Sequence, residues 1–346
     1  MSNAAATLDE AVLGPYLEAH VAGFKGLQGY EKFSGGQSNP TFRLKAESGD
    51  YVLRAKPPGK LLKSAHMVDR EFRVMSALAG TAVPVPKMLH LSEEGEDSPI
   101  GRQFYLMEHL DGRVFWDPRV QELSPEDQAA VYDSLNETLA ALHDVDIKAA
   151  GLEDYGKPGS YFARQLNRWT KQYRASETEP IPEMDRLIAW LENNEPEDDG
   201  QVSLVHGDYR LDNVMMHKTE PRALAVLDWE LSTLGHPYAD LGYQCMNWRL
   251  PYSASFRGLG GVPREGTGLP VEEAYVAKYC ERRGIDGIPN WAFYLAFSVF
   301  RFAAIIQGVY KRALDGNASQ PEKAMTYGKA VPQMARLGCD LIDKEA

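Results

Sequence analysis

Leu204-Val205-His206-Gly207-Asp208-Tyr209-Arg210-Leu211-Asp212-Asn213, followed closely by Val226-Leu227-Asp228-Trp229-Glu230, decides how this chain is read. Asn213 opens a short run, Val214-Met215-Met216-His217, that predicts a strand. Lys218 to Arg222 then carries turn chemistry, and Pro221 within it cannot donate to a ladder. Leu224-Ala225-Val226-Leu227 predicts the returning strand, ending at Asp228. An antiparallel hairpin sets the start of its first strand beside the end of its second. The spacing therefore predicts Asn213 facing Asp228 at the open end, with Asp208 one loop away. A carboxylate and an amide oxygen so placed suit Mg²⁺, a hard cation that takes oxygen ligands. A third carboxylate nearby, Asp208, can orient a hydroxyl and take its proton. Those are the parts that phosphoryl transfer from a nucleotide needs.

His206-Gly207-Asp208 with Asn213, then Asp228, resembles the aminoglycoside phosphotransferase and choline kinase group of small-molecule kinases. The resemblance implies an α+β, protein-kinase-like bilobal fold. Its small antiparallel-sheet N-lobe would span residues 1–109, with a leading helix, nucleotide loop and hinge. The larger, mainly helical C-lobe would span 110–346 and carry the catalytic loop and metal site. The resemblance also implies Asp208 as catalytic base, Asn213 and Asp228 as magnesium ligands, and ATP as phosphoryl donor. It is closest to the kinase-like domain associated with acyl-CoA dehydrogenase family members ten and eleven and to its free-standing bacterial relatives. The matching stretches are Val52-Leu53-Arg54-Ala55-Lys56-Pro57-Pro58-Gly59, Asp69-Arg70-Glu71-Phe72-Arg73-Val74 and Asp228-Trp229-Glu230-Leu231-Ser232-Thr233-Leu234-Gly235. That branch implies a hydroxy acid or hydroxyacyl-CoA as acceptor in place of an antibiotic, on analogy alone.

Working outward from the motif, three strand-like segments are expected near 28–33, 40–46 and 50–55. Ser34, Gly35, Gly36, Gln37, Ser38 and Asn39 form the turn between the first two. Its glycines allow positive φ and close backbone approach, so amides can point at phosphate. The turn lacks the GxGxxG of protein kinases. Arg54 stands where kinase-like folds carry the strand lysine that binds phosphates, and Lys56 is a substitute for it. A helix over 65–78 carries Glu71, which matches the family glutamate that orients the strand cation. Strands are expected near 87–91 and 103–108. Glu108-His109-Leu110-Asp111-Gly112 matches the interlobe hinge, where backbone groups near Glu108 and Leu110 would pair with adenine. Helices are predicted over 8–22, 124–143, 159–176, 183–193, 271–283, 291–313 and 321–337.

Around the motif, His206 reads as a brace for the catalytic loop, because a metal site would recruit further histidines and the others are scattered. Tyr209 and Arg210 either meet substrate or pack the loop. Asp212 caps the loop. Glu230 either binds a second ion or water or is a plain surface acid. Asp240 resembles a family aspartate that braces the catalytic loop, although Gly235-His236-Pro237 stands where relatives show Gly-Asp-Pro. Arg301 lies in the most apolar helix, where a charge is costly unless paired or facing a wet cleft. It is either a structural ion pair or, with Arg210 or Arg249, a receiver for an anionic acceptor.

A net charge of −12 over 346 residues argues against a nucleic-acid binder. The three cysteines, Cys245, Cys280 and Cys339, are far apart and odd in number, which fits a reduced, cytoplasmic protein. Asp9 and Glu10 interrupt the N-terminus early, against a signal peptide. Trp291 to Tyr310 is the longest apolar run, but an Arg at mid-membrane costs roughly 2.5–3.5 kcal/mol, so a buried core helix is expected and no membrane partner. The function so indicated is an ATP- and Mg²⁺-dependent phosphotransferase acting on a small-molecule hydroxyl. Its rivals are a catalytically weak, pseudokinase-like nucleotide-binding scaffold, an aminoglycoside or amino-alcohol kinase and, least supported, a protein kinase. The oligomeric state is not encoded in these features.

Overall fold

Phe42 and Leu44 alternate with Arg43 and Lys45, and the period of two sets one face of the strand into a core. The computed structural model describes residues 7–33, 39–59, 66–157, 159–253, 256–318 and 320–344. It divides into two compact units. The first holds the chain up to Arg113 together with Leu224–Leu231, and the second holds Val114–Ala223 and the chain from Ser232 onward. The expected boundary at 109/110 follows chain order, whereas the stretch that carries Asp228 is grouped with the first unit.

In the first unit, β1 (Leu27–Lys32), β2 (Thr41–Ala46), β3 (Gly49–Ala55), β4 (Met88–Leu91) and β5 (Phe104–Glu108) form one antiparallel sheet in the order β1-β2-β3-β5-β4. A two-residue strand, β6 (Gly112–Arg113), follows. α1 (Glu10–His20) starts at Asp9, whose side chain accepts from Ala11 N, and lays Leu13 and Leu17 on Phe42, Leu44, Leu53, Phe104 and Leu106. α2 (Val68–Leu78) buries Val68, Glu71, Val74, Met75 and Leu78, an i, i+3, i+6, i+7, i+10 stripe with a carboxylate inside it. α2 also packs on the turn Trp229–Leu231, and Val226 N donates to Pro84 O at 2.8 Å. The segment around Asp228 is thereby fastened to this unit.

The second unit is mainly helical. It comprises α3 (Pro125–His143), α4 (Tyr161–Ser176), α5 (Pro182–Asn193), α6 (Tyr238–Cys245), α7 (Glu272–Arg283), α8 (Trp291–Leu314) and α9 (Pro321–Asp343). Ser124 caps α3 by accepting from Asp127 N at 3.1 Å, with Pro125 in its first turn. α8 is long and apolar enough to cross a membrane by length and composition, but most of its apolar window is buried in this unit, with α9 packed along it. The expected core helix is what forms. β7 (Ser203–Val205) pairs antiparallel with β10 (Thr233–Gly235). β8 (Val214–His217) runs into a turn where His217 N donates to Arg222 O at 2.8 Å, and β9 (Ala223–Val226) follows. α6 sits tight on α8 through Gly242, where a Cβ would stand 2.8 Å from the Tyr294 carbonyl oxygen.

Two expectations change here. α9 continues to Asp343, past the expected end at 337, and Pro332 lies inside it. α6 was not expected as a helix. All eight of its residues are buried, so it has no polar face to give a period of 3.6.

Candidate active site

β7 ends at Val205, and the chain turns through His206-Gly207-Asp208. Gly207 makes that turn at φ 84°, a conformation open to glycine. The turn is held from beneath by Asp240 of α6. Its Oδ2 accepts from His206 N at 2.6 Å and its Oδ1 from Gly207 N at 2.8 Å. Burial pushes the Asp240 carboxyl up, but hydrogen bonding from His143 and the Gly207 amide outweighs it, and the carboxyl lies below its usual range. His143 Nε2 is 3.5 Å from Asp240 Oδ2 and its Nδ1 is 2.7 Å from the Tyr279 hydroxyl. Burial lowers His143 below the ordinary histidine value, so the ring is neutral and its partners assign the proton to Nε2.

The Asp208 side chain, by contrast, is 23% exposed. Asn213 Nδ2 donates to Asp208 Oδ2 and to Asp208 O, both at 2.8 Å. Asp208 N points to His206 Nδ1 at 3.2 Å. Arg210 reaches Asp208 Oδ1 at 3.4 Å and Asp212 Oδ2 at 3.1 Å. Asp212 is half-buried, and burial raises its carboxyl against the pull of Arg210. The loop thus presents one carboxylate, immobilised by an amide and a guanidinium and open on one side.

In the first unit, Arg54 of β3 and Glu71 of α2 meet with Nε 3.0 Å from Oε2. Glu71 also accepts from Asn39 Nδ2 at 2.9 Å and from the Tyr105 hydroxyl at 3.2 Å. Burial raises the Glu71 carboxyl, opposed by Arg54 and by these two donors. Arg54 Nη2 continues to Asp228 Oδ1 at 2.6 Å. Asp228 holds φ at 66°, rare for a residue with a Cβ and costing about 1–3 kcal/mol, as positions under functional constraint do. Lys56 is instead paired with Glu94 at 2.6 Å, so of the two candidate cations Arg54 is the one joined to Glu71.

A model of the phosphotransferase enzyme family APH matches residues 29–265. The chain belongs to the APH phosphotransferase family. As an APH phosphotransferase it is a small-molecule kinase with an alcohol group as acceptor. A protein of Ralstonia eutropha JMP134, provisionally named an aminoglycoside phosphotransferase, is 50% identical with a TM-score of 0.88, covering 98% of this chain and 99% of that one. Acyl-CoA dehydrogenase family member 10 of Mus musculus is 48% identical over 91% of this chain and 29% of its own length. This chain therefore spans under a third of that relative. The APH(4)-Ia aminoglycoside phosphotransferase solved as a ternary complex with ADP and hygromycin B has a TM-score of 0.61 at 16% identity, over 94% of this chain and 98% of that one. At that identity the likeness shows the fold alone, and the expected α+β kinase-like class holds.

Within this APH phosphotransferase, Ser34, Gly35, Gly36, Gln37 and Ser38 of the expected nucleotide loop lie outside the described residues. Asn39, counted with that loop, is buried against Glu71 and is 3.0 Å from His66 Nδ1. Glu108 uses its carboxylate on Lys87 N at 2.8 Å, and Leu110 is half-buried just beyond β5. Glu230 is exposed, and its charge acts on Arg54. Tyr209 does not meet substrate: it is fully buried and its hydroxyl donates to Leu135 O at 2.8 Å. Among the described residues Arg301, read as an ion pair or an anion receiver, meets no carboxylate. It is 5% exposed, donates to Gly207 O, and lies over the rings of Trp169 and Tyr243 at 5.5 and 5.1 Å. Arg249 is paired through Nε and Nη2 with Glu272, at 2.6 and 2.9 Å. Sequence reasoning missed His143, which reaches the catalytic loop through Asp240, and it did not foresee that Asn39 would meet Glu71. For His143 the signal is a polar side chain on the buried face of α3.

Proposed function

We propose that this chain is an ATP- and Mg²⁺-dependent kinase that phosphorylates the hydroxyl of an anionic small molecule, a hydroxy acid or hydroxyacyl-CoA. The observation that carries the kinase reading is the Asp208 carboxylate, partly exposed and held by Asn213 and Arg210 on a loop whose His206 and Gly207 amides are held by Asp240. Such a carboxylate orients an acceptor hydroxyl and takes its proton as the oxygen attacks phosphorus. The ADP complex of the APH(4)-Ia structure supports a nucleotide as the donor.

The donor atoms fit magnesium. Asn213 directs both hydrogens of Nδ2 to Asp208, which leaves its Oδ1 as a hard ligand. Asp228 keeps Oδ2 for a cation while Oδ1 takes Arg54. Bound there, Mg²⁺ would neutralise charge on the phosphates. Arg54, kept charged by Glu71, is the protein's own phosphate cation.

For an anionic acceptor, support comes from the acyl-CoA dehydrogenase relative and from Arg210 and Arg257, whose charges both act on Asp212 of the catalytic loop. The test is a screen of radiolabelled phosphate transfer from ATP to hydroxy acids, their CoA thioesters, aminoglycosides and amino alcohols. Transfer to the anionic members is expected. Transfer confined to aminoglycosides or amino alcohols would refute the anionic class, and no transfer with tight nucleotide binding would favour a scaffold. The three cysteines are free and buried, and we place the protein in the cytoplasm.

A further inference from the structure

We propose that Asn39 and His66 are positioning residues for Arg54: His66 aims the Asn39 amide, Asn39 holds the Glu71 carboxylate, and Glu71 presents Arg54 to the nucleotide phosphates. The inference rests on Arg54 as the phosphate cation of the kinase reading and names what sets its place. Every link lies within the first unit. His66 Nδ1 is 3.0 Å from Asn39 Oδ1, and Asn39 Nδ2 donates to Glu71 Oε1 at 2.9 Å. Glu71 Oε2 meets Arg54 Nε at 3.0 Å, and Arg54 Nη2 meets Asp228 Oδ1 at 2.6 Å. The backbone supports the same arrangement. Thr41 pairs with Arg54 across β2 and β3, and Ala55 N donates to Pro40 O at 3.0 Å. The Thr41 hydroxyl donates to Asn39 O at 3.1 Å.

Hydrogen-bond chemistry fixes the direction of the relay. An ionised carboxylate only accepts, so Asn39 turns its amide nitrogen to Glu71. Its oxygen then faces His66, and the proton of that contact belongs to His66 Nδ1. Burial pushes the Glu71 carboxyl up, and the Asn39 donor opposes that push, which keeps an anion beside Arg54. Asn39 is 0% exposed, and both polar atoms of its side chain are engaged within the protein. A residue of the expected nucleotide turn therefore acts through Glu71. His66 stands at φ 61°, a region that residues with a Cβ adopt uncommonly. Two residues on, α2 begins, the helix that carries Glu71. A backbone outlier kept where its ring meets Asn39 marks a position under functional constraint.

Binding of ADP with magnesium, followed by calorimetric titration without acceptor, tests this apart from turnover. Asn39→Ala and His66→Ala should each weaken binding about 10-fold, as removal of a residue that orients a binding group does. His66→Asn should recover most of the affinity lost in His66→Ala. Asparagine carries an amide nitrogen at the position of Nδ1 and tolerates positive φ. Asn39→Ala combined with Arg54→Ala should bind no more weakly than Arg54→Ala alone, since Asn39 acts through that guanidinium. The acceptor KM should stay near wild type in the single variants at Asn39 and His66. Additive losses overturn the inference, because Asn39 would then bind nucleotide by itself. Undiminished affinity in Asn39→Ala overturns it too, and so does His66→Asn binding no better than His66→Ala. If Asn39→Ala fails to fold, the variants at half-buried His66 decide alone. Wild-type ADP affinity in Arg54→Ala would remove the phosphate role of Arg54 and the inference with it. If Arg54→Ala alone weakens binding, Arg54 keeps its role and the positioning role of Asn39 and His66 falls.

Discussion

Arg54 Nη2 stands 2.6 Å from Asp228 Oδ1, although 174 residues separate the two in the chain. The same guanidinium holds Glu71, so one cation joins a strand, a helix and the acidic turn after β9 within a single unit. Burial works against its charge, and Glu71 and Asp228 outweigh burial. Removing Glu71 would leave Arg54, Asn39 and the Tyr105 hydroxyl without their shared acceptor. Glu71→Ala should therefore lower stability by about 3–5 kcal/mol in urea unfolding, the usual result of breaking a buried pair from one side. Combined with Arg54→Ala, the loss should be clearly less than the sum of the single losses. Full additivity would show that the two do not act as a pair.

Asp228→Asn should abolish turnover, because the amide is a poor substitute for a charged magnesium ligand. Stability should change little by comparison, since the Asp228 side chain is 36% exposed and the Glu71 contact to Arg54 survives. Calorimetric titration of Mg²⁺ with ADP should show weakened binding. Wild-type turnover at ordinary magnesium would remove Asp228 from the metal site.

Asp208→Ala should lower kcat roughly 10²–10⁴-fold, the usual contribution of a positioned base. The affinity for ATP, measured by equilibrium binding, should stay close to wild type, because the carboxylate serves the acceptor. Lost ATP affinity with unchanged kcat would assign Asp208 to the nucleotide instead.

How much of this is legible in the residues depends on whether a feature is local. His206, Asp208 and Asn213 sit within one loop, and their spacing marks them as candidates. The 2.8 Å bond from Asn213 Nδ2 to Asp208 Oδ2 is not foreseen, since the spacing sets Asn213 facing Asp228. The long helices show themselves through apolar periodicity, and apart from the C-terminal end of α9 their ends lie close to the expected ones. α6 is illegible because burial on every side erases its period. β7 and β10 have three residues each, too few for alternation to register. The role of Arg301 could not be foreseen for a different reason. Its partner is the Gly207 backbone carbonyl 94 residues away, and no side-chain pattern records a carbonyl. Tyr209 misleads in the same way, since its hydroxyl partner is also a backbone oxygen.

Arg301→Met tests that corrected role. The sequence alone leaves a structural ion pair and an acceptor-binding arginine open, and loss of the second would spare stability. With the guanidinium buried on Gly207 O and between two aromatic rings, the opposite is expected. The variant leaves a buried carbonyl without its donor, a loss of about 1–3 kcal/mol, and the Tm should fall visibly. The kcat should fall as the loop loosens, with acceptor KM affected less. A raised acceptor KM at unchanged Tm would restore the anion-receiving role.

His143 gives the fold a pH dependence whose sign follows from its environment. Burial lowers its pKa below the ordinary value near 6.5, so the unfolded chain binds a proton more readily than the folded one. Stability from this group is therefore fully present above about pH 6.5 and declines as pH falls below it. His236, also lowered by burial, and half-buried His90, lowered by burial and by His20, add slopes of the same sign. Asp240, held low, extends the loss further into acid, because its contribution fades only below the usual carboxylate range. Urea midpoints measured from pH 8 to pH 5 should fall steadily through the lower half of that range. His143→Gln, which keeps a hydrogen-bonding side chain without a titrating ring, should flatten the fall while lowering stability at pH 8. An unchanged slope in that variant would assign the acid sensitivity to other groups.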